Sequence, residues 1–91
     1  MRTPAVITVL GQDRVGIVAA ISGALAEANA NIEDIRQTIL GNIFTMTMLV
    51  SVDEDSVPFD ALQKRLAAVG QDLGMQITLQ REDVFRYMHH I

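Results

Sequence analysis

The sequence predicts an α+β fold of the ferredoxin-like, split βαβ kind: a βαββαβ sandwich with an antiparallel sheet, two helices on one face and a short C-terminal helical tail. Three observations predict it. Two segments carry an apolar stripe of helical period, four are short β-rich runs bounded by turn residues, and they alternate in the order β-α-β-β-α-β. Two right-handed crossovers onto one sheet produce that layout. A chain of 91 residues supports one core, so one domain is expected over 1–91, with its core at 5–82 and a tail at 83–91.

The elements follow in order. "AVITVLG" (5–11) is apolar on both faces, as a central strand covered from two sides would be. From Gly16 to Asn29 the pattern turns helical, with Ile17, Ile21, Leu25 and Ala28 on one stripe. Gly23, inside that helix, costs up to about 1 kcal/mol against alanine, so a close approach by a strand or a second helix is expected there. Asn29 suits the left-handed stop that ends a helix. "IEDIRQTIL" (32–40) is a second strand, and Gly41-Asn42 joins it as a hairpin to "IFTMTMLVSV" (43–52). In that third strand Phe44, Met46, Met48, Val50 and Val52 alternate inward. "DEDS" (53–56) is an acidic turn from which Ser56 or Asp55 is expected to cap the next helix, Pro58 fitting its first turn. Phe59, Leu62, Leu66, Val69 and Leu73 form the strongest stripe, and Gly70 and Gly74 are read as loosening its end. "MQITLQR" (75–81) is a fourth strand with Met75, Ile77 and Leu79 inward. In the tail, Val84, Phe85, Met88 and Ile91 fall on one apolar strip. The sheet face away from the helices is only partly polar and is expected to lack a cover within the chain, which favours a dimer.

Composition excludes several classes. Hydrophobic residues make up 49% of the chain, high for this size, and point to buried interfaces. No run approaches the roughly 20 apolar residues of a membrane span. "MRTPAVITV" has too short an apolar portion for a secretory signal. Without cysteine there is no disulfide, thiolate zinc site or cysteine nucleophile, and a cytoplasmic setting is expected. The net charge is −4 and the seven basic residues are scattered, unlike a phosphate-tracking surface. Of Phe44, Phe59, Phe85 and Tyr87 only one lies on a strand, too few for stacking bases on a sheet. No nucleic-acid or membrane partner is expected.

The stretch "GQDRVGIV" (11–18) carries the candidate chemistry. Gly11 is read as turning the chain off the first strand, Asp13 as capping the helix, and Gly16 as allowing close backbone approach. Free amides at the helix start, with the helix dipole, suit a carboxylate. No Gly-Lys-Ser/Thr follows, so this is no nucleotide P-loop. Arg14 pairs either a ligand carboxylate or Asp13 or Glu33 at the rim. Glu33 and Asp34 are neighbours on a strand and face apart, a poor acid/base pair. His89 and His90 are consecutive rather than four apart, so they read as a polar rim and not as metal ligands. Ser22 and Ser51 have no triad partners, and no catalytic residue or cofactor is expected.

The order of elements, with "TVLGQDRVGIVAAISGALAEANANIEDIRQ" and "FTMTMLVSVD", resembles the ACT domain family over residues 5–82. "G-x-D-x-x-G-I-V" is similar to that family's first loop and "N-I-x-D-I" to its second-strand entry. With the tail "FRYMHHI" the chain looks most like stand-alone ACT proteins, relatives of the sensor portions of the glycine cleavage regulator and formyltetrahydrofolate deformylase. The resemblance implies an amino acid held at a subunit interface against the first loop, with Asn31 and Ile32 of a facing segment completing the pocket. The implied binding residues are Gly11, Asp13, Arg14, Gly16, Ile17, Asn31 and Ile32. The implied function is an amino-acid-responsive regulatory module, a homodimer or higher oligomer that signals to an effector protein. The alternative is a ligand-free protein–protein interaction domain on the same dimer; a small hydrolase comes third.

Overall fold

The computed structural model describes residues 2–88, the side chain of Met88 apart. Its elements are β1 (Arg2–Gln12), α1 (Ile17–Glu27), β2 (Asn31–Leu40), β3 (Ile43–Asp53), α2 (Phe59–Leu73), β4 (Met75–Arg81) and α3 (Glu82–Met88). The expected βαββαβ order is present, and the tail is helical in 82–88. The strands form one antiparallel sheet in the order β2-β3-β1-β4. β1 is therefore central, as its apolar character requires, and β2 and β4 are the edges.

The core lies between the sheet's inner face and two helices. Ile7 and Val9 from β1 and Met46, Met48 and Val52 from β3 meet Ile21 and Leu25 of α1 and Leu62 and Leu66 of α2. Both helical stripes read from the sequence are the buried stripes. Among the described residues no polar or charged side chain is buried. Asn29, at φ 57°, stops α1, and Gly74, at φ 69°, stops α2 in the left-handed conformation.

Three local expectations are corrected. α2 is not capped by Ser56 or Asp55. The Ser56 hydroxyl donates to Asp53 Oδ2 at 2.9 Å and the Asp55 amide donates to Asp53 Oδ1 at 3.1 Å. Asp53 thus organises the turn upstream, and Pro58 takes the N-cap position without a side-chain cap. Second, Gly70 does not loosen α2. A Cβ there would stand 2.7 Å from the Met75 carbonyl oxygen, so Gly70 lets α2 lie close on β4. Third, Gly23 has no close neighbour: a Cβ there meets nothing within 4 Å. Gly23→Ala should therefore raise the unfolding midpoint, gaining up to about 1 kcal/mol of helix propensity, measurable by urea denaturation.

The two outer regions of the sheet differ from expectation as well. α3 folds back over part of the outer face and leaves Val6 only 3% exposed, so that face does have a partial cover within the chain. The β2 edge reaches beyond the helices. A register irregularity between Ile32 and Asp34 absorbs Glu33 as a bulge. Ile32 and Ile35, three apart in sequence, thereby both pair with inward-facing residues of β3, Val50 and Met48. They and Ile39 are nonetheless between 36% and 50% exposed, because among the described residues no helix packs over them.

Candidate functional site

Alternating strand and helix directions bring three turns to one end of the sheet: β1–α1, β2–β3 and α2–β4. The Asp13 amide donates to the Asn42 carbonyl at 2.7 Å, tying the first turn to the second. Arg14 Nη1 donates to the Leu73 carbonyl at 3.0 Å, tying it to the third. Between them Gln12, Asp13, Arg14, Leu73 and Gly74 line a crevice of about 410 Å³. An amino acid fits in such a volume.

The start of α1 borders this turn. Gly16 is the N-cap at φ 92°, ψ 2°, a conformation that favours glycine. Its carbonyl receives the Ala20 amide at 3.0 Å, the first helical bond. No side chain caps the helix, and no acidic residue lies in its first turn. The amides ahead of Ala20 therefore keep their donor capacity and the positive end of the helix dipole unneutralised.

The structure assigns several sequence-predicted residues different tasks. Asp13 does not cap α1; its backbone holds the turn. Arg14 neither pairs with Asp13 nor with Glu33 among the described residues. It sits at the C-terminus of α2, where a cation complements the carbonyl end of the dipole. Gly11 does not turn the chain. It stays in β1, opposite Phe44 and Met75, and a Cβ there would approach Met75 Sδ to 2.5 Å. Ile17 turns its side chain into the core, 2% exposed, so only its amide is available at the helix start.

Asn31 and Ile32 lie at the far end of the sheet. Asn31 pairs with Ser51, which pairs with Pro4, whereas Leu40 and Gln12 both pair with Ile43 beside the crevice. The length of β2 separates them, about 30 Å at strand rise. One protomer cannot bring Gly11–Gly16 and Asn31 together. Asp34 uses its carboxylate locally, accepting the Ile35 amide at 2.9 Å and facing Arg36 at 3.5 Å. Sequence reading missed Asn42, Leu73 and Gly74, which join Arg14 and Asp13 only through sheet pairing and helix packing.

A second polar cluster, also unforeseen, closes the opposite end. Glu54 accepts the Thr3 hydroxyl at 2.6 Å and Arg81 Nη2 at 2.8 Å, and Arg81 lies 4.1 Å above the Phe59 ring centroid. The Thr3 hydrogen bond first, and Arg81 next, hold the Glu54 carboxyl below its ordinary value of 4.5. A lowered folded pKa means stability that is present above the unfolded value and lost as pH falls through the folded one. Urea midpoints should therefore fall as pH drops below about 4.5, and Glu54→Gln should flatten that fall. Asp53, lowered by Ser56 and the Asp55 amide, leaves a residual slope. An equal slope in wild type and variant would dismiss the clasp.

Among the described residues no group of three His, Asp or Glu side chains is placed to hold a metal ion, and no helix is long and apolar enough to cross a membrane. His89 and His90 lie outside the described residues, as does Ile91 of the expected apolar strip.

Comparison with known proteins places this architecture among relatives. A family model described as ACT domain matches residues 3–80. A UPF0237 protein of Methanocaldococcus jannaschii is 55% identical over 86 residues, covering 94% of this chain and 96% of the relative. The solved structure of an ACT domain protein from Streptococcus pneumoniae superimposes with a TM-score of 0.79 at 44% identity, covering 91% of this chain and 93% of that one. A candidate glycine cleavage system transcriptional repressor superimposes with a TM-score of 0.79 at 28% identity, over 89% of this chain and 46% of that one.

Proposed function

The chain belongs to the ACT domain family of regulatory ligand-binding modules, and on that premise we propose that it senses a free amino acid as a homodimer. The observation that carries this reading is the uncapped start of α1, which follows in the chain on the Gln12–Arg14 turn that lines the crevice. A ligand carboxylate would take those amides.

The other half of the site would come from a second copy. β2 is an edge strand with unpaired backbone groups and a bare row of Ile32, Ile35 and Ile39. Pairing two β2 strands antiparallel about a two-fold axis sets the Asn31 end of one beside the Leu40 end of the other. Leu40 lies at the same end of the sheet as the Gly11–Gly16 turn, sharing Ile43 as pairing partner with Gln12, so this symmetry supports Asn31 and Ile32 facing the partner's Gly11–Gly16 turn. Asn31 offers an acceptor for an ammonium and a donor for a carboxylate. Ligand that bridges the two protomers would favour one arrangement of the dimer, by no more than its differential affinity for the two states. That bias is what an effector protein would read.

Thermal unfolding against a panel of free amino acids tests the proposal. At ten times its Kd a ligand should raise the midpoint by roughly 6–11 °C, from about 1.4 kcal/mol of linkage. Asn31→Ala should lose that rise and stay dimeric. A dimer that ignores every amino acid at millimolar concentration would instead support the ligand-free interaction module. Gly11→Val is a poor probe, because it disturbs the contact with Met75.

A further inference from the structure

Val6 is buried without belonging to the core. Its neighbours Ala5, Ile7 and Val9 point from β1 into the layer of helices, so Val6, one residue out of step, points to the other face of the sheet. It is nonetheless 3% exposed, and α3 is what covers it. That helix starts at Glu82, directly after Arg81 of β4, and packs on β1 and β4. There Phe85 meets Val6, Thr47 and Leu49. Val6 and Leu49 are paired across β1 and β3, and Thr47 is the next outward residue of β3, so the three form one floor. On the β2 side Asp34 and Arg36 stand beside Leu49 and Thr47 as a charged rim.

The root and the body of α3 are held differently. The root is anchored, because Arg81 is bonded to Glu54 at 2.8 Å and lies 4.1 Å above the Phe59 ring centroid. The body rests on one apolar anchor. Of its described side chains only Glu82 and Phe85 are half-buried, whereas Val84 is 45% and Tyr87 85% exposed. Arg86 bonds Glu82 at 2.9 Å and Asp83 bonds the Val84 amide at 2.8 Å, contacts that stay within the helix. The fit to the floor is incomplete. Phe85, Glu82 and Arg86 share a cavity of about 150 Å³ with Val6, Thr47 and Leu49, and Leu49 remains 41% exposed. Seven residues are too few for a helix to persist unsupported in water. α3 is therefore helical because it is docked, and its docking leaves the floor part-filled.

From this geometry we infer that the outer face carries a helix-binding groove, which α3 occupies as an autoinhibitory contact and releases without unfolding of the domain. The occupant that replaces it is an amphipathic helix of an effector protein, with an aromatic side chain for the Val6–Leu49 floor. α3 itself shows that chemistry to fit. An effector helix longer than two turns adds a second anchor at Leu49 and fills the cavity, contacts that α3 does not make. The groove does not rest on the ligand reading, since its floor and the crevice share no residue.

Amide hydrogen exchange on the full chain tests the release. The second turn of α3 should be protected only roughly 10- to 100-fold, and β1 by orders of magnitude more. Phe85→Asp should abolish protection in α3 and leave β1 protected. A fluorescent peptide of residues 82–88 probes the groove. The tether supplies an effective concentration on the order of 1 mM, so that protection corresponds to a Kd of roughly 10–100 μM on the vacated groove of Phe85→Asp. Wild type should bind the peptide only near about 1 mM, because α3 competes, and a peptide carrying Phe85→Ala should bind neither protein. The inference is overturned if α3 exchanges as slowly as β1 in wild type, a result that needs no variant to fold. It is overturned equally if Phe85→Asp protein with an unprotected α3 ignores the peptide. An assembly mass lowered by Phe85→Asp overturns it as well, because the groove would then serve a second copy.

Discussion

Leu66→Ala should bring the domain to the edge of unfolding. Leu66 is fully buried in α2 and packs in the core shared by both helices and the sheet. Truncating such a leucine costs about 2–5 kcal/mol, the lost transfer energy plus the cavity that remains. A domain of this length has a margin on the order of 5–14 kcal/mol. The loss should lower the thermal midpoint by roughly 10–30 °C, read by calorimetry or circular dichroism. The upper part of that range is expected because the neighbours are held by opposite layers. α1 on one side and the sheet on the other cannot both close on the gap. A loss under about 1 kcal/mol would mean that the two layers collapse together and that the core is softer than its burial indicates.

Gly70→Val should cost about 1–3 kcal/mol by overpacking, and a fall of roughly 5–20 °C in the midpoint follows. The added Cβ would lie 2.7 Å from the Met75 carbonyl oxygen and 3.3 Å from Ile77 Cγ1. Side chains can rotate away, but a backbone oxygen fixed by strand β4 cannot. The last turns of α2 must lift off the sheet instead. Alanine at the same place gains up to about 1 kcal/mol of helix propensity, which offsets part of the strain, so valine is the cleaner test. The sign contrast with Gly23→Ala is the sharper check. Both glycines interrupt a helix, and only the local distance to the next backbone decides whether a methyl group helps or harms. If both alanine variants stabilise, α2 does not sit as close to β4 as this geometry requires.

That contrast marks where sequence reading stops. Helical and strand periodicities were legible, because a core forces apolar residues onto one face of each element. Ile17, Ile21 and Leu25 in α1, Ala28 at its C-cap, and Phe44, Met46, Met48, Val50 and Val52 in β3 are buried as the spacing requires. The Asn29 stop and the Gly41-Asn42 hairpin were legible for the same local reason. Capping was not. Ser56 and Asp13 are good caps by type, but Asp53 captures Ser56, and the Asp13 backbone is drawn to Asn42 in another turn. The roles of Gly11, Gly23 and Gly70 were likewise hidden, since each depends on what lies opposite in space.

The candidate site divides along the same line. The sequence by itself determined the fold class, the stripes that make the core, the family resemblance and the small polar turn at residues 11–16. Each follows from the local chain and from patterns that repeat with the period of a helix or a strand. Only the tertiary structure decided that α1 begins uncapped after a turn that lines a crevice, and that Arg14 serves the end of α2. It also decided that Asn31 lies a strand's length away, and that α3 covers part of the outer face. These depend on contacts between residues tens of positions apart. Such contacts are set by sheet order and layer packing, which no short stretch of sequence encodes.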